Sequence, residues 1–346
     1  MNHHLGFTFF MLCAVASAQP RLPRDNLLLL PDGSMAASVK DWEARRNEAL
    51  EAFQKVAGPL PTKKVPLDIR VDEVADMGSY ERRLISYGTD VGNRVPAYLC
   101  VPKMATKETP VPAVLCLHPT EAKIGHKVVV GLGGKPHRQY AAELAERGYV
   151  TLAPAYTQLA NYQPDLKALG YKSGTMKSIW DNICGLDYLD SLSYVKRDGG
   201  YGAIGHSLGG HNAIYTAVFD PRIKVVVSSC GFDSYIDYYG GKITGWTQDR
   251  YMPSLKAYLD SPQDIPFDFY ELVGCLAPRT FYVNAPLRDA NFRHDSVDRI
   301  MAAAKKVYAL HGAEDRLLVA HPDSEHDFPD NERFAAYEVI ARVIGK

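Results

Sequence analysis

Basic runs, paired cysteines and long apolar stretches are all scarce in this chain. Its cations occur at most as short groups such as Lys63-Lys64 and Lys305-Lys306, and its formal charge is −1 over 346 residues. That balance argues against nucleic acid as the main partner. No C-x-x-C pair is present. Apart from Cys13, the cysteines are Cys100, Cys116, Cys184, Cys230 and Cys275, an odd and scattered set that makes a poor disulfide framework and a poor zinc site. Cys100, Cys116 and Cys230 fall in strand-like apolar runs and read as small buried hydrophobes. The apolar run at residues 5–15 is too short to span a bilayer, and no later one is longer, so no stable membrane anchor is expected. Asp233, Asp237 and Asp249 lack histidine partners and calcium-loop spacing. Gly131-Leu132-Gly133-Gly134 is not followed by the G-K-[ST] of a phosphate loop. No metal and no cofactor is expected.

What is present begins with an export signal. Residues 5–15 form its apolar core, and Ala16-Ser17-Ala18 is a small-x-small cleavage site before Gln19-Pro20. The segment ahead of the core carries His3 and His4 instead of Lys or Arg. Cys13 follows Leu12, not a small residue, which argues against a lipoprotein. Cleavage after Ala18 and a periplasmic or secreted location are expected. Residues 19–64 read as an N-terminal extension and helix, with an extended Pro-rich start at 19–34. Within the helix at 38–56, Trp42, Ala49 and Phe53 are placed to dock on the main body. With 46% hydrophobic residues, residues 65–346 suit one large domain.

Two strand-like runs, 81–87 and 95–101, open that domain as an antiparallel pair. Strands and helices then alternate: strand 113–117, helix 138–147, strand 149–153, helix 173–192, strand 201–204, helix 211–219 and strand 223–228. An aromatic-rich insertion at about 231–267 follows this sixth strand. The alternation resumes with strand 279–283, helix 297–307, strand 317–320 and helix 331–344. Such alternation implies an α/β fold with a mostly parallel central sheet and helices on both faces.

Gly205-His206-Ser207-Leu208-Gly209 stands between one of these strands and its helix. A serine in G-x-S-x-G at a strand-to-helix turn is the nucleophile elbow of an α/β-hydrolase fold. The flanking glycines leave room for a strained turn that lifts the hydroxyl clear of the sheet. A serine needs a base to take its proton and a third group to orient that base. In this architecture the partners follow as serine, acid, histidine. His326 lies directly after the last predicted strand and is the expected base, ahead of His321, His311 and His294. Asp289 follows the preceding strand and is the expected acid, with Asp295 next in the same loop. Asp315 is the main rival, but it precedes the last strand and belongs at the other edge of the sheet. The oxyanion hole is expected from the backbone N–H groups of Leu208 and Thr120. Pro119, in His118-Pro119-Thr120, has no N–H to give. Losing one such donor typically costs about 3–4 kcal/mol of transition-state stabilisation. Trp246, His118 and His211 are the expected substrate contacts, and aromatic faces in the insertion suit sugar rings or aromatic acyl groups.

Several stretches together carry a family resemblance. They are Val114-Leu115-Cys116-Leu117-His118-Pro119-Thr120, Gly131-Leu132-Gly133-Gly134, Leu144-Ala145-Glu146-Arg147-Gly148-Tyr149-Val150, Gly205-His206-Ser207-Leu208-Gly209-Gly210-His211-Asn212, Ala277-Pro278-Arg279 and His326-Asp327-Phe328-Pro329. From about residue 80 onward the chain resembles the dienelactone-hydrolase-like branch of the α/β-hydrolases, which also holds proteins described as acetyl xylan esterases. The resemblance implies a Ser207, Asp289, His326 triad and hydrolysis of carboxylic esters. Dienelactone hydrolases proper use a cysteine nucleophile, so their substrate does not carry over. Leu152-Ala153-Pro154-Ala155-Tyr156 has alanine where such proteins often carry aspartate. Glucuronoyl esterases place an arginine-containing motif around their serine, which this chain lacks.

The leading expectation is an exported serine esterase acting on a small-molecule or polysaccharide ester, in the manner of a short-acyl carbohydrate esterase. A single-domain serine peptidase of prolyl-oligopeptidase type is the first alternative, although too few residues precede the hydrolase region for the usual propeller. A non-catalytic binding protein on a hydrolase fold is the second. It is disfavoured because serine, acid and histidine candidates all stand in order.

Overall fold

The computed structural model describes residues 24–30 and 32–345. The expected signal peptide, its cleavage site and residues 19–23 lie outside the described residues. A nine-stranded sheet is formed by β1 (Arg70–Asp76), β2 (Tyr80–Asp90), β3 (Asn93–Pro102), β4 (Ala113–Leu117), β5 (Val150–Pro154), β6 (Tyr201–His206), β7 (Ile223–Ser229), β8 (Thr280–Asn284) and β9 (Leu317–Ala320), in the order β1-β2-β3-β5-β4-β6-β7-β8-β9. The first four in that order pair antiparallel, and β5 through β9 run parallel. This is the α/β-hydrolase fold expected from the motifs. The addition is β1, an edge strand whose side chains are nearly all exposed. It moves the aromatic-rich insertion to a place after the seventh strand in chain order.

The helices are α1 (Val39–Ala57), α2 (Tyr140–Glu146), α3 (Gly174–Ser191), α4 (Leu208–Phe219), α5 (Phe269–Gly274), α6 (His294–Leu310) and α7 (Asp330–Ile344). Alternation along the strands sorts them onto two faces. Leu115 and Leu117 of β4 join a core with α1 and α3–α6, while Val114 and Cys116 join another with α2 and α7. The termini obey local rules. Ser38 and Asp41 form a reciprocal capping box at α1, and the Ser173 hydroxyl accepts from the Met176 N–H at α3. Trp42 and Phe53 of α1 are fully buried, and the Phe53 ring lies 5.1 Å from Tyr215 and 4.9 Å from Phe267. The segment expected to be extended at 19–34 is, where described, turned back by a Leu29–Met35 bridge, with Leu27 buried.

Chain order reverses direction across the sheet at β4, which lies between β5 and β6. Open α/β sheets bind ligands beyond the carboxyl ends of the strands at such a reversal. The loop after β4 carries Thr120, that after β6 Ser207, that after β8 Asp289 and that after β9 His326. All four gather at one edge.

Candidate active site

Ser207 has φ 54° and ψ −121°, a conformation that costs a non-glycine residue roughly 1–3 kcal/mol. It is held there by its N–H, which donates to the Ser229 carbonyl at 2.8 Å. The spacing of the glycines has a steric cause. A Cβ on Gly209 would fall on the Leu117 carbonyl, and one on Gly205 would fall on the Gly209 backbone. The turn is therefore wedged beneath the end of β4.

His326 donates from Nδ1 to Asp289, at 2.9 Å to Oδ2 and 3.0 Å to Oδ1. The Asp289 side chain is 1% exposed, and its Oδ1 also accepts from the N–H groups of Asn291 (2.8 Å) and Phe292 (3.2 Å). A carboxylate so held fixes the imidazole tautomer with the proton on Nδ1 and leaves Nε2 as a base. His326 and Ser207 line one cavity of about 270 Å³ with Pro119, Thr120, Lys135 and Arg138. The neighbouring Asp327 anchors the His326 loop, accepting from Arg138 at 2.6 Å and His137 at 2.8 Å. Arg138 also donates to the His326 carbonyl at 3.3 Å.

A buried polar layer supports both loops. Asn284 donates to Ser229 Oγ at 2.8 Å and to the Asp327 carbonyl at 2.9 Å, while His206 Nδ1 lies 2.9 Å from Ser229 Oγ. Burial drives the His206 pKa well below that of free histidine, so this ring stays neutral beside His326, 4.8 Å away. Cys230, at φ 48°, packs against the pair. Its thiol is pushed far above the usual thiol range by burial and then by Asp289. Cys230, Asp289 and His326 bring their donor atoms within 4.8 Å of one another. A buried protonated thiol beside an imidazole and carboxylate already bonded to each other is a poor metal set.

The rival residues sit elsewhere. Asp315 is exposed on a turn ahead of β9. Asp295, in the first turn of α6, pairs with Arg293 at 2.7 Å and Arg299 at 3.1 Å. His321 lies between the Ala285 carbonyl and Asp298, His294 meets the His321 ring edge-on at 5.7 Å, and His311 caps the end of α6.

Leu208 is the first residue of α4, so its N–H has no helical carbonyl behind it. Thr120 lines the same cavity as Ser207; among the described residues its N–H has no acceptor, and its hydroxyl lies 3.0 Å from Tyr251 Oη. His118 turns inward. Its Nδ1 bonds the Pro119 carbonyl at 2.7 Å and its Nε2 accepts from the Tyr156 N–H at 2.9 Å, which shapes the Thr120 loop. Burial lowers its pKa to about 4.

Trp246 and His211 line a second, smaller cavity of about 150 Å³, with Thr120, Ser207, Leu208 and Tyr251 among its other walls. Their rings are 4.8 Å apart. His211 Nδ1 donates to the Gly231 carbonyl at 3.0 Å, and burial lowers the His211 pKa to about 3. The insertion's aromatics divide: Phe232 and Tyr235 are core, while Tyr238, Trp246 and Tyr251 wall the cavity.

Sequence reasoning missed Asn291, which borders both cavities, and Phe292, which borders the smaller. Their place two and three residues after Asp289 was the available signal, because an aspartate commonly bonds the backbone just ahead of it. It also missed Asp233. This carboxyl is 1% exposed, accepts from the Arg293 N–H at 3.2 Å, and has an Oδ1 with no partner.

Comparison with known proteins agrees with the fold. No protein-family profile matches the sequence. The chain is 27% identical over 296 residues to "Putative hydrolase YtaP" of Bacillus subtilis (strain 168), covering 81% of this chain and 94% of that one. Among solved structures, it is similar to a glucuronoyl esterase from Solibacter usitatus, with a TM-score of 0.74, 19% identity, and 93% and 98% of the two chains covered. It is also similar to a structure named as a putative acetyl xylan esterase from Bacteroides fragilis, with a TM-score of 0.63, 18% identity, and 82% and 76% covered. At such identity these structures establish the fold. No helix among the described residues is long and apolar enough to cross a membrane.

Proposed function

We propose that the protein is an exported serine hydrolase that cleaves carboxylic esters through an acyl-serine intermediate, with a short-acyl carbohydrate ester as substrate. The observation that carries this reading is the buried Asp289 bonded to His326 Nδ1, with His326 and Ser207 on one cavity. His326 Nε2 takes the Ser207 proton as Oγ attacks the ester carbonyl. The N–H groups of Leu208 and Thr120 take the charge that develops on the carbonyl oxygen. His326 then returns the proton to the departing alcohol, and water repeats the sequence to release the acid. The esterase names of the similar structures support ester over amide cleavage. Leu208 stands after the serine, in a chain without the arginine-containing motif of glucuronoyl esterases, and this favours the acetyl-ester reading over the glucuronoyl one.

The same mechanism assigns the two cavities. His326 must reach the leaving oxygen, so the cavity that His326 lines receives the alcohol. The smaller cavity adjoins Leu208 and Thr120 without His326, and it receives the acyl group. Its volume of about 150 Å³ suits a short acyl chain.

Hydrolysis of 4-nitrophenyl acetate by the mature protein and its Ser207→Ala variant, beside the matching anilide, tests the reading. The expected result is ester turnover well above amide turnover, reduced on the order of 10⁴-fold or more by the substitution. A folded wild type that cleaves the anilide and spares the ester would sink the reading in favour of a peptidase.

A further inference from the structure

A cleft with a distinctive charge lies at the opposite edge of the sheet from Ser207. It opens at the amino ends of β7, β8 and β9 and has a volume of about 670 Å³. Arg46, Lys224, Arg279, Arg316 and Arg342 line it, with Glu43 as the sole carboxylate. Only Arg46 has a carboxylate within 4.0 Å among the described residues, namely Glu43 at 3.9 Å. Arg279 is bound to carbonyls alone: Ala217, Leu276 at 3.2 Å, and Cys275, Asp220 and Ile223 at 3.3 Å each. Those bonds satisfy its donors and leave its charge without a counter-ion. Burial accordingly lowers its pKa to about 10. Arg316 likewise donates to a carbonyl, that of Pro278 at 3.1 Å. Lys224, Arg316 and Arg342 are exposed at the rim. Like charges crowded round a low-dielectric concavity repel one another and focus their field outward, and an anion relieves both effects.

We propose that this cleft binds a multiply charged oxyanion, specifically a carboxylated oligosaccharide. The glycan assignment rests on the carbohydrate-esterase reading; the anion chemistry rests on the cleft alone. Besides Arg279, whose donors are already taken, three of its cations are arginines, whose planar forks match carboxylates two bonds at a time. The cleft is large enough for more than one sugar unit. The seven residues of β7 separate it from the Ser207 edge by about 20 Å at 3.3 Å per residue. An acidic glycan held here leaves the ester site open, so the cleft would retain the enzyme on an acidic polysaccharide while neighbouring esters are cleaved.

Titration calorimetry with oligogalacturonate, neutral xylo-oligosaccharide and inorganic phosphate, on the wild type and a Lys224→Gln, Arg342→Gln double variant, tests the proposal. The expected result is salt-sensitive binding of oligogalacturonate, weakened about tenfold or more in the variant, with no binding of the neutral sugar. Turnover of 4-nitrophenyl acetate and the unfolding temperature should be equal in the two proteins. Absent binding, or binding that ignores the substitutions, would overturn the proposal. Phosphate binding tighter than oligogalacturonate would overturn the glycan assignment in favour of a small oxyanion. Acetate-ester turnover is read separately, so a failed esterase reading would be seen as such.

Discussion

The two cavities beside Ser207 are built from different material. The one containing His326 is walled by loops that leave the strands directly, with Lys135 and Arg138 adding charge. The other owes Tyr238, Trp246 and Tyr251 to the segment inserted after β7, and charged side chains are missing from its walls. Proton transfer needs a base fixed to a fraction of an ångström, and strand ends supply that rigidity. On the proposed reading, acyl selection needs shape, which an inserted segment of short 3₁₀ turns packed through aromatic rings would supply instead. Chemistry and selection can thus be altered separately.

The largest expected effect strikes the chemical side. Asp289→Asn should keep the hydrogen bond but favour the wrong imidazole tautomer, lowering kcat by about 10³–10⁴-fold with little change in KM. Asp315→Asn should leave kcat within about twofold. Equal losses from both, measured by steady-state kinetics, would reassign the acid. Trp246→Ala is the counterpart on the acyl side. Enlarging that cavity should raise kcat/KM for a hexanoyl over an acetyl ester of the same alcohol by about tenfold. The ranking of different alcohols at fixed acetyl should stay as it was. A shifted alcohol ranking instead would reverse the two cavities.

A smaller effect concerns stability. Burial raises the Asp233 pKa to about 8, so the folded protein holds a proton that the unfolded chain has released above about pH 4. Folding stability from this group therefore falls as pH rises from about 4 to 8. Asp233→Asn should remove that slope and raise the unfolding temperature by a few degrees at pH 8 relative to wild type, with a smaller gain at pH 5. An unchanged difference between the two pH values would show that Asp233 is ionised in the fold.

Much of this arrangement was legible because its signals are local. Gly205 and Gly209 are demanded by contacts within and just beside the turn, and strand order dictated which loops reach the Ser207 edge. The edge strand β1 escaped notice because Arg70–Asp76 buries almost nothing, and a strand without a buried face has no alternation to detect. Asp233 read as one of several scattered acids, since its burial depends on the packing of α6 and the loop before it. The division of the insertion's aromatics between core and cavity was hidden for the same reason: identical residue types serve both.

The most direct test of the acyl-serine claim is labelling with a fluorophosphonate, followed by peptide mass spectrometry. The expected outcome is one adduct per chain on Ser207, slowed by Asp289→Asn and absent in Ser207→Ala. A folded protein that remains unlabelled, or carries its adduct on another residue, would contradict the account.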